Sequence, residues 1–391
     1  PLALECLHQL NRAGYEAFLV GGCVRDLLRG VIPHDYDICT SAFPEETCRI
    51  FQNDQVILTG LHHGTVTVLK EKHPFEITTF RTDGEYTDFR HPDRVTFTSS
   101  LKTDLSRRDF TMNAIAWNPQ SGIYDPFNGQ KAVREQKILT VGNPFTRFEE
   151  DALRMLRAIR FEACLGFSIE RSVITAIEQK AEKIKFISRE RIREEITKIL
   201  LSKNPSKGIR RLLSLLGKEL FGESVSSLMS CDILDHITAS EPLRYAAFLM
   251  QTSAPLQILK GLRPSSELIR AVDTILQTIK NEYPLTPAGA RFLCHDAGSL
   301  ALDVAELIDA LKGTNSKPSI YQLVKKTLEY REPVALSSLA ITGEDLLRLG
   351  IPSGPEIGRI LNALLSIVLE SPENNNKEFL LQAATNLSAF T

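Results

Sequence analysis

Val20-Gly21-Gly22-Cys23-Val24-Arg25-Asp26-Leu27-Leu28-Arg29-Gly30, followed by Asp35-Tyr36-Asp37, is the stretch around which the chain is organised. Ahead of it, Glu16-Ala17-Phe18-Leu19-Val20 predicts a short strand. The glycine pair permits a tight turn and lets an anionic ligand approach main-chain N–H groups. Cys23 to Leu28 then open a helix whose N-terminus favours negative charge, with Arg25 beside it as a fixed cation. Asp35 and Asp37 stand two apart in a predicted strand, Asp35-Tyr36-Asp37-Ile38, so both side chains leave one face. Two carboxylates next to a phosphate-binding turn suit magnesium shared between protein and triphosphate. Taken singly, Gly-Gly is an ordinary turn and Asp-x-Asp a solvated strand; their order and spacing carry the reading. A dinucleotide-binding turn fits worse, because the Gly-x-Gly-x-x-Gly spacing is absent.

Around this stretch the pattern is strand, turn, helix, strand. Residues 1 to 14 predict a helix with Leu4, Leu7 and Leu10 in an apolar stripe joined by Cys6. Ser41 stands as a helix cap ahead of Pro44-Glu45-Glu46. Gly64 to Leu69 and Pro74 to Phe80 alternate as strands, giving a small mixed sheet under Asp35 and Asp37. Glu76 on the second of these is open to reading as a third carboxylate or as an exposed strand residue. His62 and His63 make a loop pair without metal-ligand spacing, and residues 82 to 95 form a polar, Gly- and Pro-punctuated surface loop.

Two further signals follow. In Asp104-Leu105-Ser106-Arg107-Arg108-Asp109-Phe110-Thr111-Met112-Asn113-Ala114, paired arginines held by Asp104 and Asp109 can place one guanidinium on a triphosphate while the other pairs structurally. A kinase catalytic loop would need one more residue between Asp109 and Asn113 and a downstream Asp-Phe-Gly. Arg147 to Phe161 predicts a helix: with Asp151 set at zero, Arg154 falls near about 300°, Arg157 near about 240° and Arg160 near about 180°. Met155, Ile159, Ala152 and Leu156 form the opposite, apolar half. Cytosine and adenine both present an exocyclic amine that donates beside a ring nitrogen that accepts; uracil and guanine present the reverse. Asp151 beside Arg154 can therefore pair with C or A and mismatch U and G, with Arg157 orienting them and Arg157 or Arg160 stacking or reaching phosphate.

These three stretches resemble the active-site motifs of the tRNA nucleotidyltransferases (CCA-adding enzymes) and bacterial poly(A) polymerases, in the class II, bacterial-type branch. Arg107-Arg108-Asp109-Phe110-Thr111-Met112-Asn113-Ala114 matches the family's Arg-Arg-Asp-Phe-Thr-x-Asn-Ala motif, Glu150-Asp151 with Arg154 its Glu-Asp-x-x-Arg motif, and Tyr124 to Gly129 its hinge-like turn. The resemblance implies an α+β chain: a nucleotidyltransferase head with a small mixed sheet over residues 1–138, then an all-α neck (139–200), body (201–320) and tail (321–391). It implies addition of CCA, or its terminal part, to the tRNA acceptor arm from CTP and ATP, with magnesium as cofactor. Asp35 and Asp37 are then the catalytic metal ligands; Gly22, Arg25, Arg108, Asp151, Arg154, Arg157 and Arg160 bind the nucleotide. The 82–95 loop corresponds to one that helps such enzymes switch from C to A. An enzyme adding only A shares every motif. A poly(A) polymerase shares the head but carries an additional basic motif that Ile57 to Gly64 lacks.

The remaining features fit this. At 391 residues the chain has room for two to four domains. A net charge of −2 gives no global pull toward nucleic acid, so an RNA surface must be local. One candidate is 185–211, with nine basic residues against three acidic. Seven dispersed cysteines without a Cys-x-x-Cys pair argue for a reducing, cytoplasmic setting and against zinc or disulfides. No apolar run is long enough for a bilayer, and no signal-peptide pattern opens the sequence. His295-Asp296 reads as a helix-surface pair, and 342–358 resembles the family's tail, where glycine turns could hold RNA phosphates.

Overall fold

The computed structural model describes residues 2–58, 60–61, 64–83, 95–222, 225, 231–313 and 319–388. They fall into two compact units, 1–229 and 230–391. His62, His63 and residues 84–94 of the predicted loop lie outside the described residues.

In the first unit α1 (Leu2–Arg12) buries Ala3, Cys6, Leu7 and Leu10, while Leu4 is exposed. The buried strand β1 (Ala17–Val20) runs into α2 (Gly22–Leu28). There follow β2 (Asp37–Thr40), α3 (Pro44–Ile50), β3 (Gln55–Ile57), β4 (Thr65–Lys70), β5 (His73–Thr79), the pair β6 (Arg81–Asp83) and β7 (Val95–Phe97), α4 (Leu101–Ser106), β8 (Ala116–Asn118), β9 (Gly122–Tyr124) and α5 (Gly129–Arg134). Helix α3 is capped from Phe43, whose N–H donates to Glu46 at 2.7 Å; Ser41 Oγ instead accepts from Glu16 N–H.

Seven strands form one sheet in the order β3-β4-β5-β2-β1-β8-β9. It is mixed: β2 and β5 are parallel, and the other neighbours antiparallel. One side chain set, including Phe18, Val20, Cys39, Phe80, Leu105 and Ala116, packs beneath it. Register matters most at the centre, where Val20 faces both Asp37 and Ala116, and Asp37 faces Glu76. The expected strand from Asp35 starts two residues late. Beyond Val20 the chain turns at Gly21, so β1 offers no further partner, and one step of two along β5 would set Asp35 against Pro74, which has no N–H.

Past the sheet come β10 (Lys137–Ile138), α6 (Pro144–Glu150), α7 (Leu153–Leu165), β11 (Ser168–Ile169), α8 (Arg171–Lys180), α9 (Arg189–Leu200) and α10 (Pro205–Phe221). The two-residue strands β10 and β11 pair in parallel, with Lys137 and Glu170 ion-paired alongside at 2.7 Å. The single helix expected over 147–161 is two helices. Asp151 between them is extended (φ −143°, ψ 105°), and its Oδ1 accepts the Leu153 N–H at 3.0 Å, starting α7 afresh. The apolar half holds as read: Met155, Leu156 and Ile159 are fully buried.

In the second unit every regular element among the described residues is a helix. Its last helices, Gly343–Arg348, Pro355–Glu370 and Lys377–Ser388, close over Leu346, Ile360, Leu364, Val368 and Leu380. Buried Arg291 donates to Leu369 O, Glu370 O and Glu332, capping carbonyls at the end of Pro355–Glu370. His295 and Asp296 make separate contacts, to Val334 O and Tyr283 Oη.

Candidate active site

The turn between β1 and α2 fixes the floor of the site. Gly21 has φ 81° and ψ −134°, backbone that side chains rarely adopt, and its N–H donates to Ile115 O. A Cβ on Gly21 would lie 3.2 Å from Arg108 Nη1 and 3.7 Å from Asp37 Oδ2. A side chain at the turn would therefore crowd the Arg108 guanidinium beside Asp37. Gly22 is already helical, and a Cβ there meets Arg25 Nη2 at an ordinary 3.6 Å. Of the pair, Gly21 is the constrained residue, though Gly22 was the one singled out in the sequence.

Three carboxylates gather at the edge of this turn. Asp37 opens β2 as its one exposed residue; desolvation by its surroundings raises its pKa, the Arg108 guanidinium pulls it back, and Asp35 raises it further. Glu76 faces it on β5 as an exposed strand residue, and partial desolvation, then Asp37 and Asp35, raise its pKa. Asp35 lies in the bend before β2, its side chain 84 % exposed and bonded to His34 Nδ1 at 3.0 Å. Among the described residues no group of three or more His, Cys, Asp or Glu is placed to hold a metal ion. A magnesium ion needs none, since it takes one or two carboxylates and completes its shell with phosphate and water. After desolvation, repulsion among these acids adds to the upward shift of Asp37 and Glu76.

The cationic wall is built from buried pairs. Fully buried Asp104 takes both arginines of the motif, Arg107 at 2.8 Å and Arg108 at 3.3 Å. Burial alone would raise Asp104; the two guanidinium groups outweigh it and hold its pKa below the usual range. Asp109, expected to share in holding them, serves another pair: it accepts from Arg157 Nε at 2.7 Å and from Asn113 Nδ2 at 3.2 Å. Burial opposes its charge, yet Arg157 and Asn113 keep it at about 2. Asn113 Oδ1 in turn accepts from Arg25 Nη1 at 2.8 Å, while Asp26 takes the other face of that guanidinium. Arg108 retains a buried Nε with no hydrogen-bond partner, a donor that a bound phosphate would satisfy.

These residues line a cavity of about 440 Å³ whose walls are Gly21, Gly22, Arg25, Asp37 and Arg108 on one side and Arg157, Arg160 and Phe161 of α7 on the other, with Lys198 of α9 at the rim. Arg160 stacks on the Phe161 ring at 4.3 Å and pairs with buried Glu195 at 3.2 Å. The cavity thus joins an acidic edge to a guanidinium-lined trough, shaped for a triphosphate and its base.

Asp151 and Arg154 stand beside this lining rather than in it. Arg154 is buried, donating to Glu150, Arg147 O and Arg107 O. Asp151 Oδ2 accepts from Arg191 Nη2 of α9 at 2.9 Å. The basic run 185–211 is largely paired as well: Lys185 with Glu219, Lys198 with Glu195, and Lys207 and Arg211 with Glu162. Sequence reasoning named Gly21 and Asn113 within their motifs and counted Glu195 and Lys198 within the basic run, but assigned none of the four to the nucleotide site. The adjacent glycine signalled the first; the others are brought in by long-range packing.

Comparison with known proteins agrees with this geometry. Residues 17–139 match the family described as "Poly A polymerase head domain", 166–216 "Probable RNA and SrmB- binding site of polymerase A", and 238–384 "tRNA nucleotidyltransferase domain 2 putative". The chain is 38% identical to the CCA-adding enzyme of Lacticaseibacillus paracasei, over 99% of this chain and 96% of that one. It is 37% identical to that of Limosilactobacillus fermentum, over 98% and 96%. The crystal structure of Bacillus stearothermophilus CCA-adding enzyme in complex with CTP superposes with a TM-score of 0.84 at 32% identity, covering 99% of this chain and 97% of that chain.

Proposed function

This chain belongs to the tRNA nucleotidyltransferase family of CCA-adding enzymes, and from that premise we propose that it adds C, C and A to the tRNA 3′ end from CTP and ATP without a nucleic-acid template. The observation that carries this reading is the shared cavity, in which Asp37 and Arg108 face Arg157 and Arg160 across one triphosphate-sized space.

Arg25, Arg108 and the bare turn at Gly21-Gly22 would hold the phosphates, Arg108 offering its unsatisfied Nε. Asp35 and Asp37 would hold magnesium, with Glu76 as a neighbour; the chemistry it supplies there is activation of the 3′-hydroxyl and neutralisation of charge on the departing pyrophosphate. Asp151 and Arg154 would read the Watson–Crick edge, stepping in from the cavity margin, while Arg157 and Arg160 steady base and sugar. The helical regions would clamp the acceptor arm by shape, divided as head 1–138, neck 139–200, body 201–320 and tail 321–391. Among the described residues no helix is long and apolar enough to cross a membrane, and all seven cysteines are free thiols, which supports a cytoplasmic setting.

Incubation with tRNA lacking CCA, and separately with tRNA ending in CC, with each labelled triphosphate tests the reading. Growth by three nucleotides and arrest is expected. Extension of the CC-ended tRNA alone would mark an A-adding enzyme, and an unbounded A-tail a poly(A) polymerase; either would overturn it. Asp151→Ala is expected to keep triphosphate binding and lose the choice of C or A.

A further inference from the structure

The carboxylate proposed to read the base is not held by its own helices alone. Its Oδ1 accepts the Leu153 N–H, a local bond within the helix junction, but Oδ2 is held from α9 by Arg191 Nη2 at 2.9 Å. Arg154 is anchored by Glu150, Arg147 O and Arg107 O. The Arg191 side chain is about a quarter exposed (27%), yet its Nη1 is buried and has no hydrogen-bond partner.

We propose that Arg191 is a specificity-determining positioning residue, which fixes the Asp151 carboxylate so that only an amine-bearing base edge can meet it. This rests on the base-reading role of Asp151 given above. A carboxylate accepts at about four lone-pair positions. Leu153 N–H and Arg191 Nη2 occupy two on different oxygens, so the side chain cannot turn without breaking one of them. A pinned acceptor meets the amine of C or A and confronts the carbonyl of U or G. A carboxylate free to rotate would swing away from that carbonyl and admit water, and the penalty on the wrong base would vanish. The guanidinium suits this task because its planar fork fixes direction as well as charge. The spare buried Nη1 leaves the junction short of one acceptor until substrate fills it.

The test compares CTP with UTP as the ratio of their kcat/KM values on tRNA lacking CCA, a ratio from which the amount of folded enzyme cancels. Arg191→Lys keeps the charge and loses the fork; its ratio is expected to fall by roughly tenfold or more. Arg191→Ala is expected to fall to the value of Asp151→Ala, and the double variant no further than Asp151→Ala alone. Wild-type ratios in both Arg191 variants, with the ratio lost in Asp151→Ala, would overturn the proposal and leave base reading intact. A double variant well below Asp151→Ala would also overturn it, since Arg191 would then act by itself. A wild-type ratio in Asp151→Ala would remove the base-reading role, and this inference with it.

Discussion

Exchange of Gly21 for alanine tests whether the floor of the site is built as described. Gly21 holds φ 81° and ψ −134°, and forcing a side chain into such backbone costs about 1–3 kcal/mol. The new Cβ would also press on Arg108 Nη1 at 3.2 Å. That guanidinium cannot simply retreat, since its Nη2 is bound to buried Asp104. Gly22→Ala supplies the matched control: its contacts stay ordinary, and alanine suits a helical position. The single tryptophan, Trp117, lies on β8 opposite Leu19 of β1, so its fluorescence in urea reports on this sheet rather than on the helical unit. Gly21→Ala should lower the stability read by Trp117 by about 1–3 kcal/mol. Because misplacement of reacting groups by about 1 Å costs on the order of 10²-fold, nucleotidyl transfer should fall by that amount. Gly22→Ala should leave the unfolding midpoint unchanged. Equal midpoints for Gly21→Ala and the wild type, or equal damage from both exchanges, would refute the reasoning.

Three other outcomes follow from the buried charges. Asp109 has its pKa held at about 2 against an ordinary 3.8, so its stabilisation is fully present above 3.8 and lost as the pH falls through about 2. Asp109→Asn should therefore cost about 2 kcal/mol at neutral pH, a deficit that closes in strong acid; a deficit independent of pH would contradict it. Asp37 is shifted the other way, so its charged form opposes folding as the pH rises past the ordinary carboxylate value. Asp37→Asn should raise the urea midpoint in chelator at neutral pH while abolishing transfer, and the wild type should gain stability from magnesium more strongly at neutral than at mildly acidic pH. Asp104→Asn removes the buried counter-ion that Arg107 and Arg108 share and should cost about 3–5 kcal/mol by the same fluorescence; a loss within experimental scatter would argue against a shared counter-ion.

What could be read in the sequence was whatever local chemistry decides. The glycine turn, Asp37, Arg108 and the apolar half of α7 all follow from spacing within a few residues; the structure brings the first three to one cavity and buries the last in the core. Pairings between distant segments were out of reach. Asp104 and Asp109 are five residues apart and chemically alike, yet one serves two neighbouring arginines and the other an arginine on α7. Nothing local distinguishes them, because the partner of Asp109 is set by how α7 packs. The break at Asp151 was hidden for a related reason: an Asp that accepts the N–H two residues on can restart a helix or sit on its surface, and helical periodicity runs through the break undisturbed. The basic excess at 185–211 counted charges correctly but could not see the acids that cover them.

The parallel pairing of Lys137–Ile138 with Ser168–Ile169 brings the chain back beside itself after α6 and α7. Any exchange of segments between this protein and its relatives has to respect that closure. A crossover at 138/139, where a head would naturally be cut from a neck, would leave two halves of one ladder inherited from different parents. Hybrids joined before Gln136, whose carbonyl accepts the Ser168 N–H, or beyond Glu170, carry the loop whole, and those are the junctions at which recombination should yield soluble, active offspring.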